Sequence, residues 1–163
     1  MLDLIIKNGK CYIDGELKDV DVAVKDKKIH EIGQISGEAK EIIDASGHTV
    51  LPGCIDTQTH FREPGSTDTE DLHSGSRAAI AGGITSVFEM PNTNPPTSNK
   101  KEFQRKLDLA KNRMYCNYGF YFGATAENAD DLASLKDLEG CCGIKLFAGS
   151  STGNLLVAEE DDI

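Results

Sequence analysis

Leu51-Pro52-Gly53-Cys54-Ile55-Asp56-Thr57-Gln58-Thr59-His60-Phe61-Arg62-Glu63-Pro64-Gly65 is where the pattern of the chain changes. Before it, short alternating runs are broken by turns. After it, strand-like runs alternate with helix-like segments. The stretch sets a short apolar strand, Cys54-Ile55-Asp56, ahead of a histidine, a fixed cation and a turn. Repeated units of strand and helix imply a parallel sheet, either doubly wound or barrel.

Downstream, Thr67-x-x-Glu70 carries a capping-box signature, and Leu72, Ser76, Ala79 and Ile80 follow with helical spacing. Gly82-Gly83 ends that helix, and Ile84-Thr85-Ser86-Val87-Phe88 is the second strand, closed by Pro91. Asn99-x-x-Glu102 opens a second helix with Phe103, Leu107 and Ala110 on one face. Met114 to Phe122 is a third strand, and Leu132, Leu135 and Leu138 form the stripe of a third helix. Cys141-Cys142-Gly143-Ile144-Lys145-Leu146-Phe147 is a fourth strand. A (β/α)8 barrel needs ~250 residues, whereas residues 53–163 supply about four strands. The expectation is therefore the truncated first half of a barrel, with Val157 to Ile163 lying in a loop that enters a further helix.

Upstream, residues 1–52 read as a small antiparallel sheet. Asn8-Gly9 is a favoured hairpin pair after Leu4-Ile5-Ile6, and Asp14-Gly15 marks another turn. Val20, Val22 and Val24 alternate with charged residues, as in a half-buried strand. So thin a sheet needs a partner surface.

Composition excludes several classes. The 163 residues are 39% hydrophobic and 27% charged, with a net charge of -10. That charge argues against a phosphate-backbone binder, which needs clustered Lys and Arg. No apolar run approaches the ~20 residues that span a bilayer. The first residues lack the basic start of a signal peptide, so the expected location is cytoplasmic. The five cysteines, Cys11, Cys54, Cys116, Cys141 and Cys142, have no C-x-x-C spacing and read as small buried hydrophobes.

Reactive groups in parallel α/β proteins gather where strands end. The first strand end offers Asp56, Gln58, His60 and Arg62. The second offers Glu89, Met90 and Asn92, the third Thr125, and the fourth Lys145 followed by Gly149 to Asn154. Neutral imidazole suits zinc, so His60 is a candidate ligand, set against the plainer role of a satisfied polar residue. Residues two apart on a strand share a face, which would align Gln58, His60 and Arg62. Lys145 either pairs with a carboxylate or reacts with carbon dioxide to give a carbamate able to bridge two metals. Gly149 to Asn154 has the composition of a phosphate cradle without the Gly-Lys-Ser/Thr ending of a P-loop. His30, His48 and His73 read as solvated.

With these residues in place a family resemblance appears. Asp44-Ala45-Ser46-Gly47-His48-Thr49-Val50-Leu51-Pro52-Gly53-Cys54-Ile55-Asp56 resembles the barrel entry of the amidohydrolase superfamily. His60-Phe61-Arg62-Glu63-Pro64-Gly65, Met90-Pro91-Asn92-Thr93-Asn94-Pro95 and Gly143-Ile144-Lys145-Leu146-Phe147 resemble dihydroorotase, with Arg62 and Asn92 favouring it over hydantoinase or allantoinase. The resemblance implies a (β/α)8 barrel with a small β-sandwich, residues 1–52 being the N-terminal part of the sandwich and residues 53–163 the first half of the barrel. It implies reversible hydrolysis of dihydroorotate to N-carbamoyl-aspartate in pyrimidine biosynthesis. One or two divalent metal ions, zinc by expectation, would polarise the ring carbonyl and generate the nucleophile.

By the same resemblance, His60 is a metal ligand, Lys145 the carboxylated bridging lysine, and Arg62 and Asn92 hold the substrate carboxylate. Gln58 stands where the family has the first histidine of His-x-His, and an amide oxygen binds zinc less well than imidazole. The family's later ligands and its proton-transfer aspartate would lie beyond residue 163. The 163-residue chain alone is therefore expected to be inactive. The alternatives are a non-catalytic dihydroorotase-like partner subunit and a hydantoinase- or allantoinase-type enzyme for another cyclic amide. The implied partners are a small-molecule substrate and a second copy or a pyrimidine-pathway enzyme, with no nucleic acid and no membrane.

Overall fold

In the computed structural model, which describes residues 1–149 and 155–159, the chain divides into two compact units, Met1–Pro52 and Gly53–Ile163. The first unit holds seven strands: β1 (Leu2–Lys7), β2 (Lys10–Ile13), β3 (Glu16–Asp19), β4 (Asp21–Lys25), β5 (Lys28–Gly33), β6 (Ala39–Asp44) and β7 (Thr49–Val50). They form two sheets, β5-β4-β1-β6 and β3-β2-β7. Both sheets are mixed, because β1 runs parallel to β6 and β2 parallel to β7. The single antiparallel sheet expected from sequence is thus corrected.

The reason lies at Asn8-Gly9, which is no hairpin: β1 and β2 belong to different sheets. Asn8 does take a left-handed conformation, with φ 63°. Gly9 is needed for close approach instead, since a Cβ there would lie 2.8 Å from Val50 Cγ2 and 2.9 Å from Ala45 Cβ. Asp14-Gly15 is the true two-residue hairpin. Ile13 pairs with Glu16, and φ values of 53° and 86° at the two loop residues suit a type I′ turn. A second such loop, Asp26-Lys27, joins Lys25 to Lys28 with φ 51° and 63° and no glycine. Strand β4 is not half-buried, for Asp21, Val22 and Ala23 are all buried in succession. Ile5, Ala23 and Ile35 form the core of this unit, with Leu2 and Ala39 packed against it.

The second unit alternates strand and helix: β8 (Cys54–Thr59), α1 (Leu72–Ala81), β9 (Ile84–Glu89), α2 (Lys100–Ala110), β10 (Asn117–Gly123), a 3₁₀ helix (Ala126–Leu135) and β11 (Cys141–Lys145). The sheet runs β8-β9-β10-β11, every pair parallel. Sequential order is that of a barrel wall, whereas a doubly wound sheet reverses direction at a switch point. Phe61, Leu72, Val87, Phe103, Phe120, Phe122 and Leu135 make the core against the helices. The Phe103 ring lies 6.4 Å from Phe120 and 6.2 Å from Phe122. Each such buried phenyl contributes roughly 1.5–3 kcal/mol.

Helix starts follow side-chain caps. Asn99 accepts from the Glu102 amide, as its sequence position implies. The first helix is capped elsewhere than expected: Asp71, not Thr67, accepts from the Ser74 amide, and Ser74 reciprocates to the Asp71 backbone. The third helix is 3₁₀ rather than α. Leu132, Leu135 and Leu138 are spaced by threes, the period of a 3₁₀ helix, and all three pack on the core. No helix among the described residues is long and apolar enough to cross a membrane. The sequence readings for 150–154 in the glycine-rich stretch, and for 160–163, lie outside the described residues.

Candidate functional site

The C-terminal ends of β8 and β9 are stitched together through their backbones. The Met90 amide donates to the Thr59 carbonyl at 2.9 Å, and the Asn94 amide to the Pro64 carbonyl at 3.0 Å. Gly65, at φ 123°, allows the second approach, because a Cβ there would sit 3.0 Å from Asn94 Cβ. The loop carrying His60 and Arg62 and the loop carrying Asn92 therefore form one structure.

At its centre is His60, half-buried. Burial above all, then the positive charge of Arg62, lowers its pKa, while a hydrogen bond with Asn92 acts the other way. Lys106 and Lys145 add smaller downward effects. These surroundings favour the neutral form of the ring. Arg62 adopts φ 60°. Lys145 closes β11, pairs in register with Gly123, and sets its Nζ 5.0 Å from the Phe147 ring centroid.

Gln58 is exposed on β8, and its backbone N–H donates to Asp56 Oδ1 at 2.9 Å. The pairing of β8 with β9 slips between Asp56 and Thr59. Simple alternation therefore does not govern this strand end, and the shared face expected for Gln58, His60 and Arg62 is not fixed by strand geometry. Strand irregularities of this kind commonly re-aim side chains beside active sites.

Two carboxylates hold the loop after β8. Glu63 forms a paired contact with Arg113, at 2.7 and 3.2 Å, and accepts from the Leu72 amide at 2.9 Å. Glu89 accepts from the Thr59 hydroxyl at 2.9 Å and from the Phe61 amide, both of its oxygens at 3.0 Å. Lys106, wholly buried, faces Glu89 at 3.6 Å and donates to the Met90 carbonyl at 2.9 Å. Burial raises the Glu89 carboxyl and pushes Lys106 down to about 8, and each is partly restored by the other. Sequence reasoning missed Lys106 and Arg113. The signal for Lys106 was present: it sits three residues after Phe103 and four before Ala110, on the apolar face of α2.

Elsewhere the three solvated histidines are exposed as expected, whereas only Cys11 and Cys116 of the five cysteines are buried, Cys141 and Cys142 being partly so. His30, His48 and His73 are exposed, His73 lying 3.4 Å from the Tyr115 hydroxyl. All five cysteines are free, and burial raises Cys11, Cys116 and Cys142, the last to about 11. Cys54 alone is exposed.

A half-buried imidazole whose surroundings favour the neutral form can offer a ring nitrogen to a metal ion, and Asn92 lies near enough to act on it. The residues thus fit one part of a metal site. Among the described residues no three His, Cys, Asp or Glu side chains converge.

These features define a parallel α/β protein with polar groups gathered at the C-terminal ends of its strands. The chain belongs to the amidohydrolase family, whose sequence profile matches residues 49–148. It is 42% identical over 149 residues to allantoinase of Escherichia coli O1:K1 / APEC, and 43% identical over the same length to that of Escherichia coli SMS-3-5. Each match covers 91% of this chain and 33% of the relative. Among solved structures, L-hydantoinase from Arthrobacter aurescens superposes with a TM-score of 0.88 at 30% identity, over 99% of this chain and 36% of that one. A D-hydantoinase gives a TM-score of 0.82, also at 30% identity, over the same shares of the two chains. The chain spans about a third of the length of the relatives it matches. Its fold is that of the N-terminal part of the hydantoinase fold, and the family's activity is hydrolytic.

Proposed function

We propose that this chain is the N-terminal part of a metal-dependent hydrolase that opens a small cyclic amide of the allantoin or hydantoin kind. The likeness to allantoinase across 149 residues carries the reading, and the His60–Asn92 arrangement gives it a chemical focus. In this reading His60 would be one of the residues that hold the metal, with Asn92 steadying its ring. Lys145 would join as its carbamate, formed when its amine nitrogen adds to the carbon of carbon dioxide and gives up a proton to solvent. Gln58 supplies at most a weaker oxygen donor. A metal bound there supplies Lewis-acid polarisation and an acidified water. Arg62 contributes a fixed positive charge that binds an anionic oxygen of the substrate or of the opening ring.

The preference for dihydroorotate rested on Arg62 and Asn92 as carboxylate anchors. Asn92 acts on His60, and Arg62 supplies the fixed charge that an anionic ring substrate would need. Substrate profiling of the full-length, metal-loaded protein decides between them. Allantoin or hydantoin is expected to give the highest kcat/KM. A clear preference for dihydroorotate would restore the pyrimidine-pathway reading, and loss of that preference in Arg62→Ala would identify the anchor.

A further inference from the structure

Glu89 and Lys106 are the most deeply buried charged pair of the described chain, at 1% and 0% exposure. Desolvation largely cancels the attraction within such a pair, so stability is a poor reason for its presence. Its contacts point to another. The Glu89 carboxylate binds the Thr59 hydroxyl and the Phe61 amide, the residues on either side of His60. Lys106 binds the Met90 carbonyl, two residues before Asn92. Every group in this cluster is satisfied, for no buried side-chain polar atom among the described residues lacks a partner.

We infer that Glu89 is a positioning residue, which with Lys106 fixes the backbone beneath His60 and Asn92 and so sets the direction of the imidazole. The inference rests on the reading of His60 as a metal ligand. The carboxylate spans two strand ends: it originates on β9 and grips β8. The ammonium ties the same carboxylate to the start of the Asn92 loop. Both side chains are shut off from solvent, and the role assigned to them is exerted through the backbone of their neighbours. Together they hold ring and amide in register, the support that metal-binding histidines need from their surroundings.

The test uses the full-length protein and the double variant Glu89→Gln/Lys106→Met, which removes both buried charges at nearly constant volume. The readouts are zinc affinity by chelator competition and the visible spectrum of the cobalt(II)-loaded protein. A folded variant is expected to bind zinc about ten- to a hundredfold more weakly, with an altered cobalt spectrum. Wild-type affinity and spectrum in that variant, while His60→Ala loses the metal, would overturn the positioning role alone. Undiminished metal binding by His60→Ala would overturn it together with the ligand reading. Should the double variant not fold, Thr59→Val decides, since it deletes one donor to the carboxylate and leaves the charges paired. A several-fold loss of zinc affinity is expected there, and no change would overturn the inference.

Discussion

Gly75 shows how one missing methyl group supports the site. A Cβ at this position of α1 would lie 2.4 Å from Phe61 Cδ1, in a buried ring that must then move. Alanine gains ~1 kcal/mol of helix propensity over glycine, but overpacking costs about 1–3 kcal/mol. The clash wins, and Gly75→Ala is expected to destabilise the protein by about 1 kcal/mol in urea unfolding. Because the Phe61 amide binds Glu89, the same substitution is expected to weaken metal binding at His60. Gln58 argues in the opposite direction. Imidazole is a better zinc ligand than an amide oxygen, so Gln58→His is expected to raise the zinc content per chain, measured by elemental analysis. An unchanged content would remove position 58 from the ligand set.

At the scale of elements, the start of α1 links stability to pH. Asp71 accepts from the Ser74 amide, and this bond above all lowers its pKa below the ordinary aspartate value. Replacing such a cap by alanine costs roughly 1 kcal/mol. A depressed carboxylate pKa adds stability above the unfolded value, near 3.9, and loses it as pH falls through the folded one. Asp71→Ala is therefore expected to be less stable at neutral pH and to converge with the wild type in acid, as paired urea titrations would show. Local signals of this kind were only partly legible in the sequence. Asn99 was readable as a cap, but Thr67-x-x-Glu70 mimicked one that Asp71 supplies. Asn8-Gly9 and Asp14-Gly15 carry the same turn chemistry, and only tertiary packing makes one a crossover and the other a hairpin. His60 and Asn92 were readable from sequence as strand-end candidates, and they follow the ends of β8 and β9. The grip of Glu89 was not, because its partners Thr59 and Phe61 lie 30 and 28 residues away in the chain.

For the whole molecule the open question is what its edges do. Strand β8 pairs only with β9, and β11 only with β10, among the described strands. Ile55 on β8 and Ile144 on β11 are 59% and 46% exposed. In the first unit the edge strands β5 and β6 expose Ile29, Ile32, Ile42 and Ile43. Unpaired backbone beside exposed isoleucine is a template for association. The net charge of -10 opposes it, since like-charged copies repel until salt screens them, over ~10 Å at 0.1 M. The isolated 163-residue polypeptide is therefore expected to self-associate increasingly with ionic strength and to hydrolyse no cyclic amide. Sedimentation velocity at low and high salt, with an allantoin and hydantoin assay on the same samples, tests both halves. A salt-independent monomer would mean that the edges are blunted by their charged residues, Lys28 on β5 and Lys40 on β6 among them. Turnover by that monomer would mean that the groups at the ends of β8, β9 and β11 suffice for the chemistry, and His60 would then carry more of it than one ligand of a larger set.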